Sequence, residues 1–310
     1  MGAPDREWAS ASPPERVSEM KTDFGFEIRV LMCHQCGAPL EAATSGGSFR
    51  CEYCGVINHI VPRQTEAQLK PSTAQLGEAA RMGRLWAQDG KPISPPASVS
   101  RLLVNGELRA RKVKKAIDIF NSTRKEVESS SDHAASERLT FLTLVLYNHY
   151  VKENDKMRQR ALLESAVEAF KLPHHKQFVL GILSRSAVKD GDLRAAKDWL
   201  KPCDPRSDDL RADTSYRVGQ ALIATAEERF DAVHALLGEG QHDVPIADGF
   251  GPLATVLRAN AWEKRGRVDT ARALFDAYLG GGGPYGLESL AFVRGIYPQL
   301  RLCQQTMPAA

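Results

Sequence analysis

Residues 190–200 read Asp190-Gly191-Asp192-Leu193-Arg194-Ala195-Ala196-Lys197-Asp198-Trp199-Leu200, and the same kind of stretch recurs twice downstream. The second copy is Glu228-Arg229-Phe230-Asp231-Ala232-Val233-His234-Ala235-Leu236-Leu237, and the third is Arg265-Gly266-Arg267-Val268-Asp269-Thr270-Ala271-Arg272-Ala273-Leu274-Phe275. Aligning Gly191, Glu228 and Gly266 puts Leu193, Phe230 and Val268 in one column. Ala196, Val233 and Ala271 form the next column, followed by Leu200, Leu237 and Phe275. Steps of 37 and 38 residues fall in the range of stacked helical hairpins.

Working outward, each copy is preceded by a helical pattern, at 176–189, 215–227 and 253–264, so the unit is helix, tight turn, helix. A small residue at Ala196 and Ala271 lets two helices approach, and the larger apolar residue beyond it fills the groove. The turn-then-alanine pattern resembles the second half of a tetratricopeptide repeat, over about residues 134–296. Glu228 at the turn, Val233 at the small position and the long period depart from that family's pattern, with loops at 201–214 and 237–251 absorbing the surplus. A more degenerate unit is expected at 134–151 and 155–171, and a capping helix at 285–296. The fold class is therefore mostly α, an α-solenoid of tetratricopeptide-like hairpins over 100–310. One hairpin cannot bury its apolar face alone, and stacked neighbours do so for each other. The first helices would line a concave surface carrying Arg185, Arg217, Gln220 and Arg258.

A different chemistry occupies residues 31–61. Cys33-His34-Gln35-Cys36-Gly37 and Cys51-Glu52-Tyr53-Cys54-Gly55 are two Cys-x-x-Cys-Gly knuckles. Two intervening residues let one turn aim both sulfurs at a single ion, and four thiolates suit tetrahedral Zn²⁺. Gly37 and Gly55 are expected at positive φ, where a Cβ would clash. A hairpin turning at Gly46-Gly47, with strands at 49–51 and 56–60 and a small core of Leu40, Phe49, Val56 and Ile57, would hold the knuckles together. This resembles the zinc-ribbon family, which implies structural zinc on Cys33, Cys36, Cys51 and Cys54. A redox role would need one pair only, and no βαβ pattern surrounds these two. His34 and His59 read as surface residues because four cysteines already fill the shell. Cys203 and Cys303 remain, and read as buried free thiols.

The 310 residues leave room for a second, larger domain beside the ribbon. With 43% hydrophobic and 25% charged residues and a net charge of +3, the composition is that of a soluble globular protein without a strong bias toward polyanions. No run is long and apolar enough to span a bilayer, and thiolate ligands without a disulfide framework point to the cytoplasm. Residues 1–22 read as a disordered tail, with Met20 and Met32 as alternative starts. Residues 62–99, with Pro62, Pro71, Pro92, Pro95 and Pro96, read as a linker. One helix interrupts it, from Ser72 or Thr73 to Trp86, with Leu76, Ala79, Ala80, Gly83 and Trp86 on its docking face. Residues 107–127 form a basic amphipathic helix carrying Arg109, Arg111, Lys112, Lys114, Lys115, Arg124 and Lys125. A solvated polar face accounts for these charges, and a nucleic-acid surface shared with the ribbon is the alternative.

No phosphate loop, metalloprotease helix or nucleophile elbow occurs. Gly280-Gly281-Gly282-Gly283 lacks a preceding strand and reads as a hinge, and His174-His175 as an exposed interhelical pair. Together these features lead to a non-enzymatic adaptor that binds a protein partner through a helical groove. A nucleic-acid-binding regulator is the second expectation.

Overall fold

The computed structural model of the protein describes residues 28–33, 35–36, 38–43, 47–60, 73–88, 96–104, 107–281 and 286–308. The expectations for the 1–22 tail, His34, Gly37, Gly46, Tyr285 and most of the proline-rich stretch lie outside them. The chain divides into two compact units, Met1–Ala74 and Gln75–Ala310.

The larger unit is helical and its helices pack neighbour to neighbour. It contains α1 (Thr73–Trp86), α2 (Ala97–Ser100), α3 (Val113–Ser129), α4 (His133–Lys152), α5 (Lys156–Ala169), α6 (Pro173–Lys189) and α7 (Leu193–Leu200). It continues with α8 (Leu210–Ala226), α9 (Phe230–Leu237), α10 (Gly251–Lys264), α11 (Val268–Gly280) and α12 (Gly286–Ile296). Among the described residues no helix is long and apolar enough to cross a membrane.

The periodicity is written into the backbone. Asn154, Gly191, Glu228 and Gly266 all have positive φ, at 52°, 80°, 58° and 76°, and follow one another at intervals of 37, 37 and 38 residues. After each, the next amide closes the same bond to a carbonyl five residues back: Asp155 to Tyr150, Asp192 to Ala187, Arg229 to Ala224 and Arg267 to Trp262. This is a left-handed helix stop, which frees the chain to reverse into the second helix. Asp155 and Asp192 then cap that helix, accepting from the Arg158 and Ala195 amides. Asn154 places the α4–α5 pair in phase with the three others.

The columns behave as core. Ala196, Val233 and Ala271 are buried, as are Leu200, Leu237 and Phe275. Leu193, Phe230 and Val268 are half-buried at the rim. In the first pair Gln159 takes the small-residue column, and its amide is satisfied by the Tyr150 carbonyl at 3.0 Å. Of the four turn residues, only Glu228 puts a long side chain in the left-handed conformation, which costs an L-residue about 1–2 kcal/mol. Glu228→Gly is expected to stabilise the fold by about 0.5–1 kcal/mol after the greater chain entropy of glycine is subtracted. Urea denaturation checks this.

Gly181 allows α6 and α8 to approach closely. A Cβ there would lie 2.2 Å from Ser215 Oγ and 2.9 Å from its carbonyl oxygen, so α6 and α8 meet only because the side chain is missing. Gly181→Ala should destabilise the unit by about 3 kcal/mol, since the backbone on the far side cannot yield. A thermal melt showing no change would contradict this packing.

Several expectations are corrected. The basic helix begins at Val113, after a two-residue strand pair (β5, Leu103–Val104; β6, Glu107–Leu108) and a 3₁₀ turn at Ala110–Lys112. The helix expected at 215–227 starts at Leu210, capped by Asp209 on the Ala212 amide. Pro173 opens α6, so His174 and His175 sit in its first turn, and His175 is only 2% exposed. Proline is favoured there because its missing N–H is unpaired at a helix start anyway. Cys203 and Cys303, by contrast, are buried free thiols as expected, and desolvation raises them to about 11 and about 12.

The expected concave arginines are also largely structural. Arg217 donates to Asp213 at 2.7 Å and to the carbonyls of Leu236 and Pro245 at 3.2 and 2.6 Å. Arg258 is buried and donates through Nε to the Leu237 carbonyl at 2.7 Å. Arg217 thereby pins the loop at 238–250 through Pro245, and Arg258 the end of α9 from which the loop leaves, where backbone acceptors need partners once they are enclosed.

The face of α1 is the reverse of the one expected. Leu76 and Trp86 are 57% and 47% exposed, while Arg81 and Leu85 are buried. Arg81 donates to Asp213 at 2.8 Å and to the Ser207 carbonyl at 3.0 Å. Gln88 accepts from the Leu210 amide, and Arg84 pairs with Asp208. A helix from the proline-rich stretch thus belongs to the helical unit and is keyed to the start of α8.

Candidate functional site

The smaller unit holds two antiparallel hairpins, β1 (Ile28–Met32) with β2 (Pro39–Ala43) and β3 (Gly47–Arg50) with β4 (Ile57–Ile60). The turns that close them are the cysteine knuckles, and β2 and β3, on either side of Gly46-Gly47, lie in different sheets. The expected hairpin turning at Gly46-Gly47 is therefore replaced by two hairpins, each carrying a sulfur pair at its tip. The Cys33 amide donates to Ala38 O and the Cys51 amide to Val56 O, both at 2.8 Å, so the two knuckles are built alike. Gly55 has φ 74° and donates to Cys51 O, as its turn requires. Ile57, expected in a small core, is exposed, and the alternation of β4 turns Asn58 inward instead.

Ligand atoms of Cys33, Cys36, Cys51 and Cys54 all lie within 4.8 Å of one another, an arrangement that could hold a metal ion. Sulfurs are paired across the hairpins, Cys33 with Cys54 at 3.6 Å and Cys36 with Cys51 at 3.7 Å. Metal–sulfur bonds of about 2.3 Å in a tetrahedron put sulfurs about 3.8 Å apart, so the shell has the right size. Backbone amides of Cys36 and Gln35, with the Asn58 amide, bring the Cys33 thiol down to about 6 against desolvation. At Cys54 the Val56 amide works the same way, but desolvation and the three neighbouring sulfurs outweigh it and push the thiol up to about 12. Four thiolates at this separation repel, and a dication relieves that repulsion.

Asn58 is the functional residue that sequence reasoning did not find. Its Nδ2 donates to Cys33 Sγ at 3.5 Å and to Val56 O at 3.2 Å, orienting one sulfur from outside the ligand set. The alternation Val56-Ile57-Asn58 was the available signal, read with the apolar member inward. Asn58→Ala should leave the four-sulfur shell in place and weaken metal affinity about 10-fold. Competition with a chromophoric chelator checks it.

No known protein family, curated protein or solved structure matches this chain.

In the helical unit α4, α6 and α10 line an open cavity of about 470 Å³. Its walls are Leu144 and Tyr147 of α4, Ile182 and Arg185 of α6, Pro252 and Leu253 of α10, and Phe292 and Tyr297 at the C-terminal end. Of the four residues expected on a concave surface, only Arg185 reaches this space. It donates to Ser215 Oγ at 3.0 Å and lies 5.0 Å from the Phe250 ring centroid, and among the described residues no carboxylate pairs with it. The α12 helix buries Leu290 against the unit and leaves Phe292 64% exposed beside the cavity. Lys114, Lys115 and Lys125 of α3 are exposed, Arg124 is half-buried and donates to Ser165 Oγ at 2.7 Å, and Ala116, Phe120, Thr123 and Val127 are buried.

Proposed function

We propose that this protein is a non-enzymatic adaptor, in which a structural zinc ribbon precedes a tetratricopeptide-like α-solenoid that binds a protein partner through its first helices. The observation that carries the reading is the cavity between α4, α6 and α10. It is mostly apolar, of a size that admits side chains, and bordered by α12, a helix laid against the same surface. A surface that accepts one amphipathic helix has the geometry for helix-in-groove recognition, where apolar anchors one turn apart enter the groove. Four in-phase turns at 154, 191, 228 and 266 support the solenoid, because each unit offers its neighbour a like face. Zinc is assigned from the sulfur separations and the all-thiolate shell, which leaves no open position for a reacting water.

The test is a nuclease-treated pull-down with the full chain and its Phe292→Glu variant. The adaptor reading expects a discrete protein retained by the parent chain and at least 10-fold depleted with the variant. Material lost on nuclease treatment and indifferent to Phe292→Glu would replace it with the nucleic-acid reading.

A further inference from the structure

A second set of metal-ligating side chains lies far from the cysteines in sequence. His133 opens α4 and His174 and His175 lie in the first turn of α6, so the starts of two neighbouring first helices bring three imidazoles together. Their ligand atoms all fall within 4.8 Å of one another. Ring centroids are 4.2 Å apart for His174 and His175, 5.2 Å for His133 and His175, and 5.7 Å for His133 and His174. We propose that His133, His174 and His175 form a second, independent binding site for an imidazole-preferring divalent metal of the zinc class.

The surroundings are those of a ligand set. His175 is buried, and its Nε2 faces Glu137 Oε1 at 3.1 Å. A carboxylate behind an imidazole fixes the ring and its tautomer and makes the opposite nitrogen a better donor. Glu137 is itself held by Arg211. That opposite nitrogen, Nδ1, meets Ser136 Oγ at 2.5 Å, and its lone pair becomes available to a metal when the Ser136 hydroxyl, keeping its proton, rotates aside. His133 is exposed and His174 half-buried, which gives the site an entry from solvent. Nitrogens around a tetrahedral zinc at about 2.1 Å stand about 3.4 Å apart, so small side-chain rotations close the shell. Three protein ligands leave a fourth position for water or for a donor from another molecule. The ion would tie α4 to α6 at one end, joining the first two units of the array.

Zinc stoichiometry separates this site from a metal-free polar cluster. Metal-stripped full-length protein, kept reduced, is dialysed against low micromolar Zn²⁺, and bound zinc per chain is measured. The parent chain should bind two ions. The His133→Ala/His174→Ala variant, which removes no fully buried group, should bind one. Cys33→Ser/Cys36→Ser should also bind one, so failure of the ribbon assignment and failure of this site give different patterns. With Co²⁺, the ion retained by the cysteine variant should lack thiolate charge-transfer absorption. Equal zinc content in the parent and the double-histidine variant, with unchanged helical circular dichroism, would overturn the proposal.

Discussion

Asp213→Ala is expected to destabilise the helical unit by about 3–5 kcal/mol. The Asp213 side chain is fully buried, and its two oxygens serve two different guanidiniums, Oδ1 facing Arg81 and Oδ2 facing Arg217. Both arginines are themselves buried. Removing the carboxylate leaves the buried Arg217, among the described residues, without a counter-charge, and leaves Arg81 with the half-exposed Glu78 alone, and that lost compensation carries the cost. Arg81 brings α1 to the array and Arg217 holds the loop at 238–250, so the loss is felt on both sides of α8. Asp213→Asn should recover part of the hydrogen bonding and little of the charge balance. Urea denaturation followed by circular dichroism measures this, and a loss below about 1 kcal/mol would mean that the triad is not coupled as drawn.

The second large effect is expected at the ribbon. Cys36→Ser should abolish tight metal binding and unfold residues 28–60, while the melting of the helical unit stays unchanged. Structural zinc supplies about 10–16 kcal/mol of apparent binding energy in small domains. The two hairpins belong to separate two-stranded sheets, and the sulfur pairs Cys33–Cys54 and Cys36–Cys51 run between them. Amide NMR is the direct readout, with ribbon resonances collapsing toward unfolded positions on substitution or chelation. Native dispersion persisting in chelator would show that hydrogen bonding alone holds the hairpins.

What could be read from the chain was whatever repeats locally. The apolar columns around Ala196, Val233 and Ala271 and the cysteine spacing are short-range patterns, and both reappear in space. Asn154 was readable in the same way, because asparagine tolerates the left-handed turn that glycine takes at 191 and 266. Pro173 and Asp209 are also local helix-start signals, lying three and six residues ahead of the starts expected at 176 and 215. The face of α1 was not readable. An apolar stripe of Leu76, Ala79 and Trp86 argued one way, and the pair that decides it, Arg81 with Asp213, is separated by 132 residues. Arg217 and Arg258 likewise carry no local mark of their partners, the carbonyls of Pro245 and Leu237, which lie 28 and 21 residues away in sequence. The histidine cluster lies across α4 and α6, beyond the reach of a spacing rule.

The adaptor account depends on the cavity face being the one that meets a partner. The most direct measurement places a photoreactive phenylalanine analogue at position 292 of the full chain, and at Met157, which is 84% exposed and does not line the cavity, as a control. Illumination in native lysate should yield a discrete protein adduct from position 292 and none from position 157. Equal labelling from both positions, or an adduct digested by nuclease, would contradict the account.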